Sequence, residues 1–287
     1  MGIEAVVTSL LYGLTIASAL ILIASGLSLI FGVVGVVNFA HGSFCMLGAY
    51  LGYALAAATG SFWAALLLAP AAVTAGAVVI ERFGLRPLYG GNPLHQLLLT
   101  FALSLVFSNL VLWIWGGDTL SIAKPAYLGG FVSLAGIAYP KFRLFVLAFA
   151  ALLALALWLV LARTTWGAVL RAGLHNMELV EAFGIDTRRL VTTVFALGAG
   201  LAAVAGVVMG AMRNVNPEMD LDLITSALIV VVIGGLGSFR GAVAGSLILG
   251  VAESFGAQLV PGLAKFTMWI VAAAVLLWRP EGLMKDA

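Results

Sequence analysis

Charged residues are scarce in this sequence. Of its 287 residues, 14 are Lys or Arg and 12 are Asp or Glu, whereas roughly a quarter of the residues in a typical soluble domain are charged. So few charges cannot cover the surface of a soluble globule of this length. The composition therefore argues against a soluble enzyme and a disordered chain, and the hydrophobic share of 63% predicts a polytopic membrane protein.

Cysteine and histidine are also rare, with one Cys and three His. His41 and Cys45 are spaced to share a helix face, but two ligands do not make a metal site, so no metal is predicted. No Lys follows a Gly, so the chain lacks the G-x-x-x-x-G-K-[ST] loop that holds nucleotide phosphates. The sequence also lacks the nucleophile–base pairing of a membrane enzyme. Because the basic residues are scattered singly, we expect no nucleic-acid partner.

Long apolar stretches predict an all-α transmembrane bundle that forms a single domain over residues 1–287. A helix needs about 20 apolar residues to cross the hydrocarbon core, and unbroken runs exclude the alternating pattern of barrel strands. The count is nine, or eight if one of the shorter stretches does not cross. The predicted spans lie near residues 5–31, 43–59, 62–80, 95–115, 143–162, 191–212, 222–235, 241–258 and 266–279. Three G-x-x-x-G repeats allow close helix packing in lipid: Gly48/Gly52, Gly206/Gly210 and Gly241/Gly245.

The basic residues predict the orientation, because cytoplasmic loops carry an excess of Lys and Arg. Nine spans place the termini on opposite sides. With the N-terminus outside and the C-terminus in the cytoplasm, the inner loops hold nine basic residues: Arg82, Arg86, Arg163, Arg171, Arg188, Arg189, Arg240, Arg279 and Lys285. The outer loops then hold five: Lys124, Lys141, Arg143, Arg213 and Lys265.

Two loops are long enough to carry structure. Residues 116–142 are predicted to form a small external cap of short strands or helices. Residues 163–190 lie inside and predict a helix of about two turns, with Asn176 as its N-cap and Gly184 as its left-handed C-cap. A helix this short is unstable alone, so it rests either on its own spans or on a partner protein.

The segment 32–42 carries no charge although it joins two spans. Its glycines loosen the helix, and Asn38 and His41 bring polar groups to membrane depth. Unwound backbone is tolerated there only where protein or a water-filled cavity satisfies it. We therefore predict a broken helix that lines a path, with hydrogen bonding to the broken backbone as the alternative role of Asn38 and His41.

A second junction resembles the first. The pair Val215-Asn216 follows a long span and precedes another, as Val37-Asn38 does. One junction is predicted inside and the other outside, which is the pattern of an inverted-topology repeat that relates spans 1–4 to spans 6–9. Glu253 stands near the middle of a predicted span, where an ionisable group either faces a cavity or is held by a structural hydrogen bond. The predicted path residues are Asn38, His41, Gly42, Asn216 and Glu253.

Three stretches together resemble the ABC-transporter permeases of the branched-chain amino acid type. They are V-V-N-F-A-H-G-S-F-C-M-L-G-A-Y (36–50), R-A-G-L-H-N-M-E-L-V-E-A-F-G-I-D (171–186) and I-G-G-L-G-S-F-R-G-A-V-A-G-S-L-I-L-G-V-A-E-S (233–254). Their order along the chain is the order expected in the family. Cys45 departs from the family pattern, and residues 116–142 match none.

The resemblance implies a permease subunit of an ATP-driven importer for branched-chain amino acids or related small molecules, in a bacterial inner membrane. It implies that the short helix couples to a separate ATPase through Asn176, Met177, Glu178, Val180, Glu181, Phe183 and Gly184. ATPase subunits, a second homologous permease, an external solute-binding protein and membrane lipid are the implied partners. ATP and Mg²⁺ would bind the ATPase, so this chain itself needs no cofactor and is not an enzyme. The alternative is a self-contained secondary transporter or channel, to which broken helices and inverted repeats apply equally.

Overall fold

The computed structural model describes residues 2–134 and 136–284, and within them the chain is a helical bundle with one small hairpin. The helices are α1 (Ile3–Val34), α2 (Ala40–Thr59), α3 (Phe62–Ile80), α4 (Pro93–Trp115), α5 (Lys141–Arg163), α6 (Thr165–His175), α7 (Met177–Ala182), α8 (Thr187–Met212), α9 (Met219–Gly234), α10 (Phe239–Leu259) and α11 (Ala264–Trp278). The strands are β1 (Phe131–Leu134) and β2 (Ile137–Pro140), which pair antiparallel.

All nine predicted spans are apolar helices, so the predicted fold class is confirmed. Within the described residues, seven helical stretches are long and apolar enough to cross a membrane, and the third of them runs on from α3 to Leu88. The other two predicted spans are the shorter helices α9, with 16 residues, and α11, with 15. Lys285, which was counted among the predicted inner basic residues, lies outside the described residues.

The two predicted junctions interrupt the helices, but the first is shorter than expected. The chain leaves helical conformation only over residues 35–39, because α1 continues to Val34 and α2 starts at Ala40. Gly32 stays helical and packs close to Gly237 and the side chain of Leu174. The second junction covers residues 213–218.

Helices α1, α2 and α8 form the centre of the bundle, and small residues let them approach closely. Gly26 of α1 contacts the backbone of Gly198 in α8, and Gly48 and Gly206 bring α2 and α8 together at Ala203 and Cys45. Gly241 likewise touches Gly234 of α9. All three predicted G-x-x-x-G repeats therefore have a glycine in a close helix contact, as expected where van der Waals packing holds helices together in lipid. In contrast, α4 and α5 each bury only four of their 23 residues.

The two halves of the chain have equivalent helices at an almost constant separation. Helices α1 and α8 end at Val34 and Met212, α2 and α9 begin at Ala40 and Met219, and α3 and α10 end at Ile80 and Leu259, offsets of 178 to 179 residues. Packing repeats too: α2 lies on α8 as α9 lies on α1, α3 on α8 as α10 on α1, and α4 on α2 as α11 on α9. This is the contact pattern that the predicted repeat requires.

The loop between α4 and α5 contains the predicted short strands and one turn of 3-10 helix, Ala126–Leu128. Tyr139 anchors the hairpin: it is fully buried, and its hydroxyl donates a 2.9 Å hydrogen bond to the Leu11 carbonyl of α1. Burial raises the pKa of this hydroxyl. The same loop covers the second junction, because Leu120 and Val215 exchange two backbone hydrogen bonds, of 3.0 and 2.8 Å.

Candidate functional site

The first junction returns α2 toward the middle of α1. The Nε2 atom of His41, a fully buried residue in the first turn of α2, lies 2.9 Å from the Ile23 carbonyl oxygen. Ile23 stands 11 residues before the end of α1, so His41 lies about 16 Å along α1 from that end at 1.5 Å per residue. Asn38 is also buried, and its Oδ1 accepts the Ala40 N–H at 3.1 Å. The Asn38 bond lies within the junction at the start of α2, whereas the His41 bond connects α2 to the continuous helix α1.

The two junctions meet where Gly42 of α2 contacts Asp220 of α9. Gly42 has no room for a side chain because the carbonyl oxygen of Asp220 fills the space where a Cβ would lie. Both residues stand in the first turn of their helices, α2 and α9. The start of α9 therefore lies as deep in the bundle as the start of α2.

Asp220 is a buried carboxylate, 2% exposed, that is surrounded by hydroxyl groups. Its Oδ2 accepts from the hydroxyls of Ser43, Ser104 and Ser108, at 3.4, 3.2 and 2.6 Å, and its Oδ1 accepts the Leu221 N–H at 2.8 Å. In the described part of the chain no basic side chain forms a salt bridge with it. These donors offset the cost of burying the charge and tie α9 to α2 and α4.

The other two predicted path residues lie apart from this cluster. Asn216 is exposed, and its carbonyl accepts the Met219 N–H. Glu253 is half-buried and lines a cavity of about 320 Å³ that also reaches α1, α8, α9 and α11. The structure thus brings Asn38, His41 and Gly42 together in the core and places Glu253 at a separate cavity. Their role in a path stays a prediction.

The predicted inner helix is present as α7, and its caps are as expected. The Asn176 side chain accepts the Leu179 N–H at 2.9 Å, and Gly184 follows the helix with a φ of 80°. Val180 is buried beneath the helix, whereas Phe183 is 78% exposed. Of the remaining predicted coupling residues, Glu178 and Glu181 are exposed and Met177 is half-buried. Helix α6 was not predicted, although Thr164 caps it by accepting the Gly167 N–H.

A buried ion pair, also missed by the sequence analysis, lies close to α7. Glu81 is fully buried in a short π-helix, Glu81–Leu85, which directly follows α3. It accepts two hydrogen bonds from Arg86, at 3.2 and 3.0 Å, and a third from the Thr192 hydroxyl of α8 at 2.9 Å. Arg86 and Met177 both line a cavity of about 580 Å³ beside α7. The sequence shows only an E-x-x-x-x-R pair here, and nothing in it points to Thr192.

Known proteins resemble this chain in sequence and in fold. The chain is 34% identical to the high-affinity branched-chain amino acid transport system permease protein BraD of Pseudomonas aeruginosa, over 96% of this chain and 94% of that protein. It is 31% identical to LivH of Escherichia coli K12, a permease protein of the same kind of system, over 95% and 93%. The fold resembles the solved PsaBC from Streptococcus pneumoniae in complex with Fab, with a TM-score of 0.51 and 13% identity over 93% and 89% of the two chains. Residues 9–278 match the model of the family described as branched-chain amino acid transport system / permease component, and the chain therefore belongs to this family of membrane permeases.

Proposed function

We propose that this chain works as one permease subunit of an ATP-driven amino-acid importer, and that α7 is its contact with a separate ATPase. The observation that carries the proposal is the exposed apolar surface of α7. Leu179 is 55% exposed and Phe183 78% exposed, beside the exposed acids Glu178 and Glu181. Exposed aromatic and aliphatic side chains at the end of a bundle are typical of a protein interface.

Contacts with the neighbouring helices would let α7 transmit movement. The helix that follows it, α8, is capped by the Asp186 side chain, which accepts the Arg189 N–H at 3.1 Å. Val180 is the buried residue of α7. The hydrogen bond from the Thr192 hydroxyl to Glu81 connects α8 to the end of α3. A push on α7 would therefore reach α8 and α3, which pack together. ATP binding in the partner would in this way switch the access of the path.

The proposal also includes the orientation of the chain, its other partners and its substrates. We infer an N-terminus outside and a cytoplasmic C-terminus, from the nine-to-five distribution of basic residues. A second homologous permease would complete the membrane unit, and an external solute-binding protein would deliver the substrate. Branched-chain amino acids are the proposed substrates, because BraD and LivH belong to systems named for them.

The test is a matched pair of charge substitutions on exposed phenylalanines. Phe183→Asp places a charge in the proposed ATPase contact, whereas Phe131→Asp places one on the hairpin, where Phe131 is 67% exposed. Loss of an aromatic interface residue costs about 2 kcal/mol or more, which is roughly a 30-fold weaker contact. We expect Phe183→Asp to abolish ATPase co-purification and ATP-driven uptake of leucine, and Phe131→Asp to keep the ATPase bound.

Two results would contradict the proposal. One is a Phe183→Asp chain that reaches the membrane and retains stoichiometric ATPase and normal uptake. The other is a wild-type chain that brings down no ATPase and transports without ATP, which would establish the self-contained transporter instead.

A further inference from the structure

The cavity beside Glu253 is lined by both charged and apolar side chains. It measures about 320 Å³, near the lower end of the roughly 300–1,000 Å³ of small-molecule sites. Its apolar lining includes Leu20, Ile229, Met268 and Trp269. Among the described side chains, the charged ones that line it are Arg213, Asp222 and Glu253.

We propose that this cavity binds the zwitterion of an amino acid with an apolar side chain, with its carboxylate on Arg213 and its ammonium on Asp222 and Glu253. The inference rests on the proposed function and adds to it the site and the recognition chemistry. In this proposal the charged groups bind the two charged ends of the amino acid, and the apolar lining residues contact its side chain.

Charges of both signs line the cavity, as the two ends of a zwitterion require. A guanidinium offers paired N–H donors to a carboxylate, and a carboxylate accepts from an ammonium. Neither Asp222 nor Glu253 is without a partner in the protein. A carboxylate has about four acceptor positions, however, so each can hold an ammonium in addition. Hydroxyl groups of Thr225 and Ser226 also line the cavity and provide further acceptors.

The cavity has an approach from the end of the bundle where α8 ends. A second cavity of about 390 Å³ lies next to it, and four residues line both: Thr15, Ile16, Met212 and Arg213. Arg213 therefore stands at the boundary between the two spaces. Arg213 and Asp222 are exposed, so the site is open to exchange. An open site suits transport, because a transported solute must also leave.

The first measurement is equilibrium binding of radiolabelled L-leucine to the full chain in nanodiscs, without ATP or partner proteins. The competitors are 4-methylpentanoate, which lacks the ammonium, and 3-methylbutylamine, which lacks the carboxylate. We expect saturable binding of leucine and at least tenfold weaker competition by each analogue. The amine gives Arg213 no carboxylate, and the acid gives Asp222 and Glu253 no ammonium.

The second measurement repeats the binding assay with two variants. Arg213→Gln should weaken leucine at least tenfold and leave 3-methylbutylamine unchanged within twofold, since the amine has no carboxylate to lose. The matched control is Lys141→Gln, which removes an exposed positive charge at the start of α5 and should leave leucine binding unchanged. Arg213→Lys should restore part of the affinity, because it returns the charge without the paired donors.

The inference is overturned if wild type shows no saturable leucine binding, if the two analogues compete as well as leucine, or if Arg213→Gln binds leucine like wild type. Failure of the proposed function is seen separately, as absence of a co-purifying ATPase. Because leucine binding is measured without the ATPase, its result can be told apart from the result of the co-purification test.

Discussion

Removal of the Asp220 carboxylate is the most direct test of how the two helix junctions are held together. Asp220→Ala leaves three buried or half-buried donors without their acceptor: the hydroxyls of Ser43 and Ser104 and the Leu221 N–H. Ser108 loses less, because its hydroxyl can donate to the Ser104 carbonyl oxygen at 3.0 Å. Each unsatisfied donor costs about 1 kcal/mol or more, so we expect a loss of about 3 kcal/mol in the free energy of unfolding.

A conservative variant divides this loss into its parts. In Asp220→Asn the amide oxygen can still accept from the serine hydroxyls, but its NH₂ group then faces the Leu221 N–H, so we expect an intermediate loss of about 1–2 kcal/mol. The control is Glu218→Ala, which removes an exposed carboxylate two residues earlier and should change stability by less than about 0.5 kcal/mol.

The assay is equilibrium unfolding of the full chain in mixed micelles, followed by tryptophan fluorescence as the fraction of denaturing detergent rises. The expected order of unfolding midpoints is wild type and Glu218→Ala, then Asp220→Asn, then Asp220→Ala. Removal of a buried charge also relieves its desolvation cost. If Asp220→Ala unfolds at or above the wild-type midpoint, that relief outweighs the hydrogen bonds and the carboxylate does not hold the junctions together.

Three further predictions concern packing, the buried ion pair and topology. Gly42→Ala should lower the unfolding midpoint, because its Cβ would overlap the backbone carbonyl of Asp220. Gly76→Ala is the control, since a Cβ there meets nothing within 4 Å, and it should raise stability by about 0.5–1 kcal/mol. Equal effects of the two variants would refute the close contact between Gly42 and Asp220. Glu81→Gln should cost about 2 kcal/mol by thermal unfolding, because it leaves a guanidinium that is only 26% exposed without its partner, and an unchanged midpoint would contradict this. In intact cells that express a Cys45→Ala chain, an impermeant thiol reagent should label Ser121→Cys and should not label Asn176→Cys. The opposite pattern would reverse the predicted orientation.

The membrane-spanning helices could be predicted from the sequence, although α1 runs three residues further than its predicted span and α2 begins three residues earlier. Apolar runs of about 20 residues must be helical in lipid, since every backbone polar group needs a partner within the segment. Local capping could also be predicted, and Asn176 and Gly184 act as expected. These features depend on neighbours within a few residues, so the linear sequence contains them. Helix α6 was not predicted, because residues 163–190 were interpreted as containing one short helix. The signal for α6 in the sequence is Thr164, which caps its start.

The contacts between helices, in contrast, could not be predicted and are seen only in the folded structure. A span such as α1 is apolar on all sides, so no stripe in its sequence indicates a neighbour. The repeated Val-Asn pairs predicted that two junctions correspond, but not that Gly42 would touch Asp220 across them. The serines around Asp220 come from α2 and α4, and the partner of Glu81 in α8 is more than 100 residues away. Buried polar groups need partners, and in a bundle of uniformly apolar helices the packing alone determines which groups those partners are.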